Sequence, residues 1–145
     1  MARGFEAVKT VTIVASRDAV WDALTNPEKV KQYMHGTQMS TDWKKGSPIV
    51  WRGEWKGRPY EDKGTVLAVE PKKLLRCTHW SPMGGSEDKP ENYHTVTYEL
   101  SGDGGQTTLT LTQDNNATAE EAEKMANDNW GPVLNALKAT VEKSA

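Results

Sequence analysis

The sequence predicts an α+β domain: about six or seven antiparallel strands, two short helices after the first strand, and one long C-terminal helix. Three observations carry this expectation. A Val- and Thr-rich run, Val8 to Val14, leads directly into the capped apolar segment Ser16 to Leu24. A middle stretch of two-residue alternation is broken by turn signals at Gly46-Ser47, Lys56-Gly57, Glu70-Pro71 and Gly102-Asp103-Gly104-Gly105. The chain then closes on a segment whose apolar residues recur at three- and four-residue steps.

Each element has a local reason. Val8 to Val14 is β-branched and suits a first strand. Ser16 is a good N-cap, with acidic Asp18 in the first turn; Val20, Trp21 and Leu24 mark the buried side of a short helix. Asn26-Pro27 stops that helix, and Pro27 starts a second through Tyr33. Met34 to Thr41 reads as an irregular connection. Ile49, Trp51, Gly53 and Trp55 share one strand face, and Lys56-Gly57-Arg58-Pro59 turns the chain. Strands follow over Thr65 to Val69 and Leu74 to Trp80, then a long loop from Ser81 to Asn92. His94, Val96, Tyr98 and Leu100 alternate with polar residues, as in a half-buried strand. Thr107 to Gln113 is the last strand, with Leu109 and Leu111 inward. Thr118 and Glu121 form a capping box, and Ala122, Met125, Ala126, Trp130, Val133, Leu134, Leu137 and Val141 make one apolar helix face. Pro132 interrupts it near residue 130.

Composition narrows the function classes. The 145 residues suit one domain, 1–145, with one core, to which six tryptophans offer a large apolar area. A net charge of −2 leaves no overall basic footprint for nucleic acid or an anionic membrane. One cysteine, Cys77, excludes an intrachain disulfide and fits a reducing compartment. The opening residues, Met1 to Glu6, lack a long apolar stretch, so a cytoplasmic protein without membrane insertion is expected.

The order of parts resembles the heat-shock-protein ATPase activator homologue family, in its bacterial single-domain form. Val20-Trp21 with Leu24-Thr25 and Pro27, Gly64 ahead of the strand ending at Pro71, Leu74, Thr108-Leu109 with Leu111, and Trp130 with Leu134 and Leu137 carry the likeness. Pro90-Glu91-Asn92-Tyr93-His94 and Thr112-Gln113-Asp114-Asn115-Asn116 look like features of a bacterial subgroup. Where many members carry a paired glycine, this chain has only Gly46. The resemblance implies the helix-grip, START-like fold (the SRPBCC superfamily): a curved antiparallel sheet around a long C-terminal helix, with a hydrophobic cavity between them. It implies no shared catalytic residues.

Two constellations bear on chemistry. Trp51 and Trp55 flank Gly53 on one strand face. One reading is a slot for a flat or aliphatic ligand, lined by Trp51, Trp55, Trp80 and the Met125/Trp130 face of the last helix. The other is that Gly53 marks a bulge or lets another group pack closely. His94 and Tyr98 add polar anchors, with a ligand carbonyl or Gln113 as partner for the imidazole. Cys77, His79 and His94 form the second set, because a symmetrical hairpin places His94 opposite His79. Sulfur and two imidazoles could bind zinc or activate a thiolate, but no fourth ligand is evident, so no metal site is assigned. Glu61 and Asp62, adjacent on a strand, read as surface charges.

The expectation is therefore a binder of a small hydrophobic molecule (a lipid, a polyketide or an aromatic compound). The ligand-binding residues are Trp51, Trp55, Trp80, His94, Tyr98, Met125 and Trp130; no catalytic residue and no cofactor is called for. The alternatives are a cyclase- or hydrolase-like enzyme using the same cavity, with His94 as its titratable group, and a chaperone-interacting module. The sequence does not fix an oligomeric state.

Overall fold

The computed structural model describes residues 4–34, 36–82, 87–102 and 104–144. Strand β1 (Phe5–Ile13) is followed by α1 (Arg17–Thr25) and α2 (Pro27–Tyr33). Strands β2 (Gln38–Ser40), β3 (Pro48–Trp55), β4 (Arg58–Glu70) and β5 (Leu74–His79) follow. After a short 3-10 turn at Pro90–Asn92 come β6 (His94–Ser101) and β7 (Thr107–Asn116). The last helical run is α3 (Ala119–Lys124), a π-helical turn (Met125–Trp130) and α4 (Gly131–Ser144). The strands form one curved, open antiparallel sheet of seven, in the order β1-β7-β6-β5-β4-β3-β2.

The caps read from the sequence are in place. Ser16 accepts from the Ala19 amide, Asn26 from Glu28, and Thr118 from Glu121. Pro27 sits in the first turn of α2, where its missing N–H costs nothing. Lys56 and Gly57 both take positive φ, the pairing a two-residue hairpin needs, so β4 starts at Arg58 and runs longer than the alternation suggested. Pro59 is tolerated in this inner strand because β5 pairs with β4 only from Lys63 onward.

One expectation is corrected, and another takes a definite form. The connection Met34 to Thr41 contains β2, whose Met39 faces Trp51 across the ladder with β3. Three residues at a sheet edge carry too little alternation to show in sequence. Pro132 interrupts the last helix as a widened π turn: the Gly131 amide bonds the Ala126 carbonyl, five residues back.

The core lies between the inner face of the sheet and the helices. Ile13, Val20, Leu109, Leu111, Leu134 and Leu137 are buried there. Gly64 shapes the sheet: a Cβ at this position would stand 1.8 Å from the Thr78 carbonyl oxygen. The backbones of β4 and β5 therefore close at Gly64 as no side chain would allow, which helps bend the sheet around the helix.

Candidate functional site

On the inner face, one wide hollow opens between β4–β7 and the π turn. A groove of ≈ 1020 Å³ is lined by His79, Trp80, His94, Gln113, Met125 and Trp130, among others. Behind it lies a smaller cavity of ≈ 70 Å³, walled by Trp51, Tyr60, Cys77, Val96, Tyr98 and Trp130. Met34, Asp62, His79 and Trp130 line both. The π turn inserts an extra residue per turn, and its Met125, Asn129 and Trp130 all line the groove.

Six of the seven residues singled out in the sequence lie on this hollow. Trp80, His94, Met125 and Trp130 line the groove, and Trp51, Tyr98 and again Trp130 line the cavity. The side chain of Trp55 lies outside the described residues. The space over Gly53 is filled from the facing strand: a Cβ there would be 2.5 Å from the Tyr60 hydroxyl. Gly53 thus makes room for Tyr60, as in the close-packing alternative. His35 lies outside the described residues. Met34 is at the mouth, and Met39 is buried in the core.

The polar groups are individually held. His94 Nδ1–H donates to the Asp114 carbonyl at 2.8 Å, so the partner of this nitrogen is a backbone group and not Gln113, and the other ring nitrogen is an acceptor in the neutral imidazole. Gln113 instead accepts from the Trp130 indole at 2.5 Å, tying the last helix to β7. Tyr98 meets the Trp130 ring edge-on at 6.4 Å. Burial pushes the Tyr98 phenol well above its ordinary range.

The hairpin register expected for the second constellation is present: His79 and His94 are direct partners across β5 and β6. They do not converge with Cys77 on a shared ligand. Among the described residues, no three His, Cys, Asp or Glu side chains are placed to hold a metal ion. His79 Nε2–H donates to Asp62 Oδ2 at 2.9 Å, and its ring packs against Trp51 with centroids 5.2 Å apart. Cys77 is buried among apolar groups, and burial raises its thiol to about 12, so it is protonated at neutral pH and not an activated nucleophile.

Asp62 is the residue of the hollow that the sequence reading missed. Glu61 is a surface charge, paired with Arg52 at 2.7 Å, but Asp62 faces inward with its side chain 17% exposed. The signal was in the alternation. Counting back in twos from fully buried Val66 passes Gly64, Asp62 and Tyr60, so all four share the inner face of β4.

The rim beside Trp80 is ordered by its own contacts. Tyr93 stacks on Trp80 at 6.2 Å, and Lys63 stands 5.7 Å over the same indole. Asp88 bridges them, ion-paired to Lys63 and accepting from the Tyr93 hydroxyl at 2.5 Å. Lys63 and Tyr93 hold the Asp88 carboxyl below its usual range.

The sequence profile described as "Activator of Hsp90 ATPase homolog 1-like protein" matches residues 14–142. The chain belongs to this family. It is 46% identical to ChR145 from Cytophaga hutchinsonii, covering 99% of this chain and 98% of that one, with a TM-score of 0.83. The Aha1 dimer from Colwellia psychrerythraea shares the fold at 22% identity, covering 95% of this chain and 96% of that one, with a TM-score of 0.71. DynU16, from the dynemicin biosynthetic locus, shares it at 21% identity and a TM-score of 0.78, covering 96% of this chain and 48% of that one. No curated protein matches the chain. Among the described residues no helix is long and apolar enough to cross a membrane. The helix-grip architecture implied by the sequence resemblance is the architecture observed.

Proposed function

We propose that this member of the activator-homologue family binds a small hydrophobic molecule (a lipid, a polyketide or an aromatic compound) between its sheet and the π turn of its last helix. One observation carries the reading: the ≈ 1020 Å³ groove and the ≈ 70 Å³ cavity share a wall of Met34, Asp62, His79 and Trp130. A ligand lying along Met125 and Trp130 would lose water on both faces and reach inward to Trp51 and Tyr98. Burying apolar area gives about 25 cal/mol per Å², so 200 Å² contributes about 5 kcal/mol before the entropy of association is subtracted. The binding residues are Trp51, Trp80, His94, Tyr98, Met125 and Trp130, with Trp55 included on its strand period alone.

The reading is of a binder and not of a thiol enzyme, because the buried thiol is protonated; His94 keeps one ring nitrogen to accept from a ligand. The origin of DynU16 in a biosynthetic locus supports a small-molecule role for this fold. We place the protein in the cytoplasm, where its single buried thiol stays reduced. Chaperone contact is the second reading, favoured by the family's description alone.

The test is mass spectrometry of freshly purified protein, native and then denatured, followed by titration with flat hydrophobic compounds. A discrete extra mass released on denaturation, or saturable quenching lost in Trp130→Ala, supports the reading. No extra mass and no saturable binding up to millimolar ligand would sink it. Stimulation of a chaperone ATPase without any small-molecule binding would favour the second reading.

A further inference from the structure

The cavity holds an unanswered hydrogen-bond acceptor. Among the described residues, Asp62 Oδ1 is the buried side-chain oxygen with no hydrogen-bond partner, while Oδ2 takes the His79 Nε2–H at 2.9 Å. A buried carboxylate oxygen left unpaired is costly, and such atoms call for an explanation. Three donors on the surrounding wall are committed elsewhere, and none on the wall reaches Oδ1. The Thr37 hydroxyl donates to the Met34 carbonyl at 2.6 Å, so the Tyr60 hydroxyl is the donor in its 2.5 Å bond to Thr37. The Trp130 indole N–H goes to Gln113. Cys77 and Val96 make the neighbouring wall apolar.

We propose that Asp62 reads a hydroxyl group on the ligand, so that the site selects a flat ring bearing a phenolic or alcoholic O–H over the same ring without one. This deepens, and rests on, the ligand-binding reading above. The hydroxyl enters the ≈ 70 Å³ cavity and donates to Asp62 Oδ1, and the apolar remainder lies in the groove along Trp130 and Met125. His79 acts as a positioning residue: its Nε2–H holds Oδ2, and its ring is braced on Trp51, which leaves Oδ1 as the unpaired oxygen of a side chain that lines both the cavity and the groove. A hydroxyl suits the site better than an alkylammonium. It brings one donor to one vacant acceptor, whereas an ammonium would bring three N–H groups into a mostly apolar wall. Sites built around a ligand hydroxyl discriminate sharply against analogues that lack it, because the protein group is then left unpaired.

Two probes separate the outcomes: 2-naphthol, and 2-methoxynaphthalene, which keeps the rings and oxygen but has no O–H. Calorimetric or fluorescence titration of wild-type protein is expected to show naphthol binding at least tenfold tighter. In Asp62→Leu the preference should fall to within twofold. In Asp62→Asn it should fall likewise, because His79 would hold the amide oxygen and turn the amide N–H₂ toward the ligand, where the oxygen of either probe can accept. Circular dichroism checks that each variant is folded, and the wild-type comparison stands even where a variant is not. Equal binding of both probes to wild type would mean that water satisfies Oδ1 and would overturn the proposal while leaving ligand binding intact. A preference that persists in a folded Asp62 variant would overturn it as well. Binding of neither probe at millimolar concentration would defeat the broader reading along with it.

Discussion

The two halves of the last helical run face very different interiors. Along α4, Leu134, Leu137 and Val141 pack into a solid core with Ile13, Val20, Leu24 and Leu109. Along the π turn, Met125 and Trp130 face partly buried aromatics, an unpaired carboxylate oxygen and open space. The sheet is continuous behind both. The difference lies in the side chains. Branched aliphatics close the first half, while stiff aromatics held apart by hydrogen bonds cannot collapse into the second. Trp130 is fixed by Gln113, His94 by the Asp114 carbonyl and Tyr60 by Thr37. Close packing is therefore concentrated in one half, and the proposed binding surface lies in the other.

Large-to-small substitution should expose this contrast most strongly. Leu137 is fully buried, so Leu137→Ala should cost about 2–5 kcal/mol through lost burial and the cavity left behind. Met125→Ala, at a side chain already facing open space, should cost less than about 1 kcal/mol while weakening ligand binding. Urea unfolding measures both; similar losses at the two positions would break the comparison.

High pH gives the next effect. Burial pushes the phenols of Tyr33 and Tyr98 well above the ordinary value of 10.0. Above pH 10 the unfolded chain releases these protons and the folded protein retains them. Stability is thus fully present below pH 10 and falls as pH rises. Tyr33, enclosed and donating to the Ala23 carbonyl at 2.9 Å, should contribute a loss of about 1.4 kcal/mol per pH unit. Tyr98 should contribute less, because the hollow beside it admits water. Denaturant midpoints from pH 9 to 11, for wild type and for each Tyr→Phe variant, check the ordering.

The fold was largely legible because its signals are local. Ser16, Asn26-Pro27 and Thr118 mark helix starts by chemistry confined to a few residues. The pairing of His79 with His94 was also readable, since a hairpin register follows from symmetry about its loop. The partners of those histidines were not. Asp62 comes from β4 and the Asp114 carbonyl from β7, and no local pattern reports which strands lie side by side. Asp62 shows the cost most clearly. Its proximity to Glu61 suggested a surface pair, although the two-residue period from Val66 already placed it inside. Strand β2 was hidden for a simpler reason: its pairing is supplied by β3, not by its own three residues.

A thiol test and a rim test carry smaller effects. Cys77, raised to about 12 and buried, should resist iodoacetamide at pH 8 in the folded protein and react on unfolding. Rapid native labelling would mean that the aromatic wall opens to solvent. At the rim, Asp88→Ala removes the bridge between Lys63 and Tyr93, in which the carboxylate itself is exposed and its two partners are half-buried. The unfolding midpoint should not move measurably, and ligand release should quicken; stopped-flow displacement reads the rate.

The central claim is that the open half of the interior is the part that binds. The most direct measurement is a titration with 2-naphthol followed in ¹H–¹⁵N and methyl spectra. The account predicts saturable shifts at the Trp51 and Trp130 indoles and near Met125 and His79, with the Leu134 and Leu137 methyls unmoved. Shifts that fail to saturate, or that appear at α4 while the indoles stay still, would contradict it.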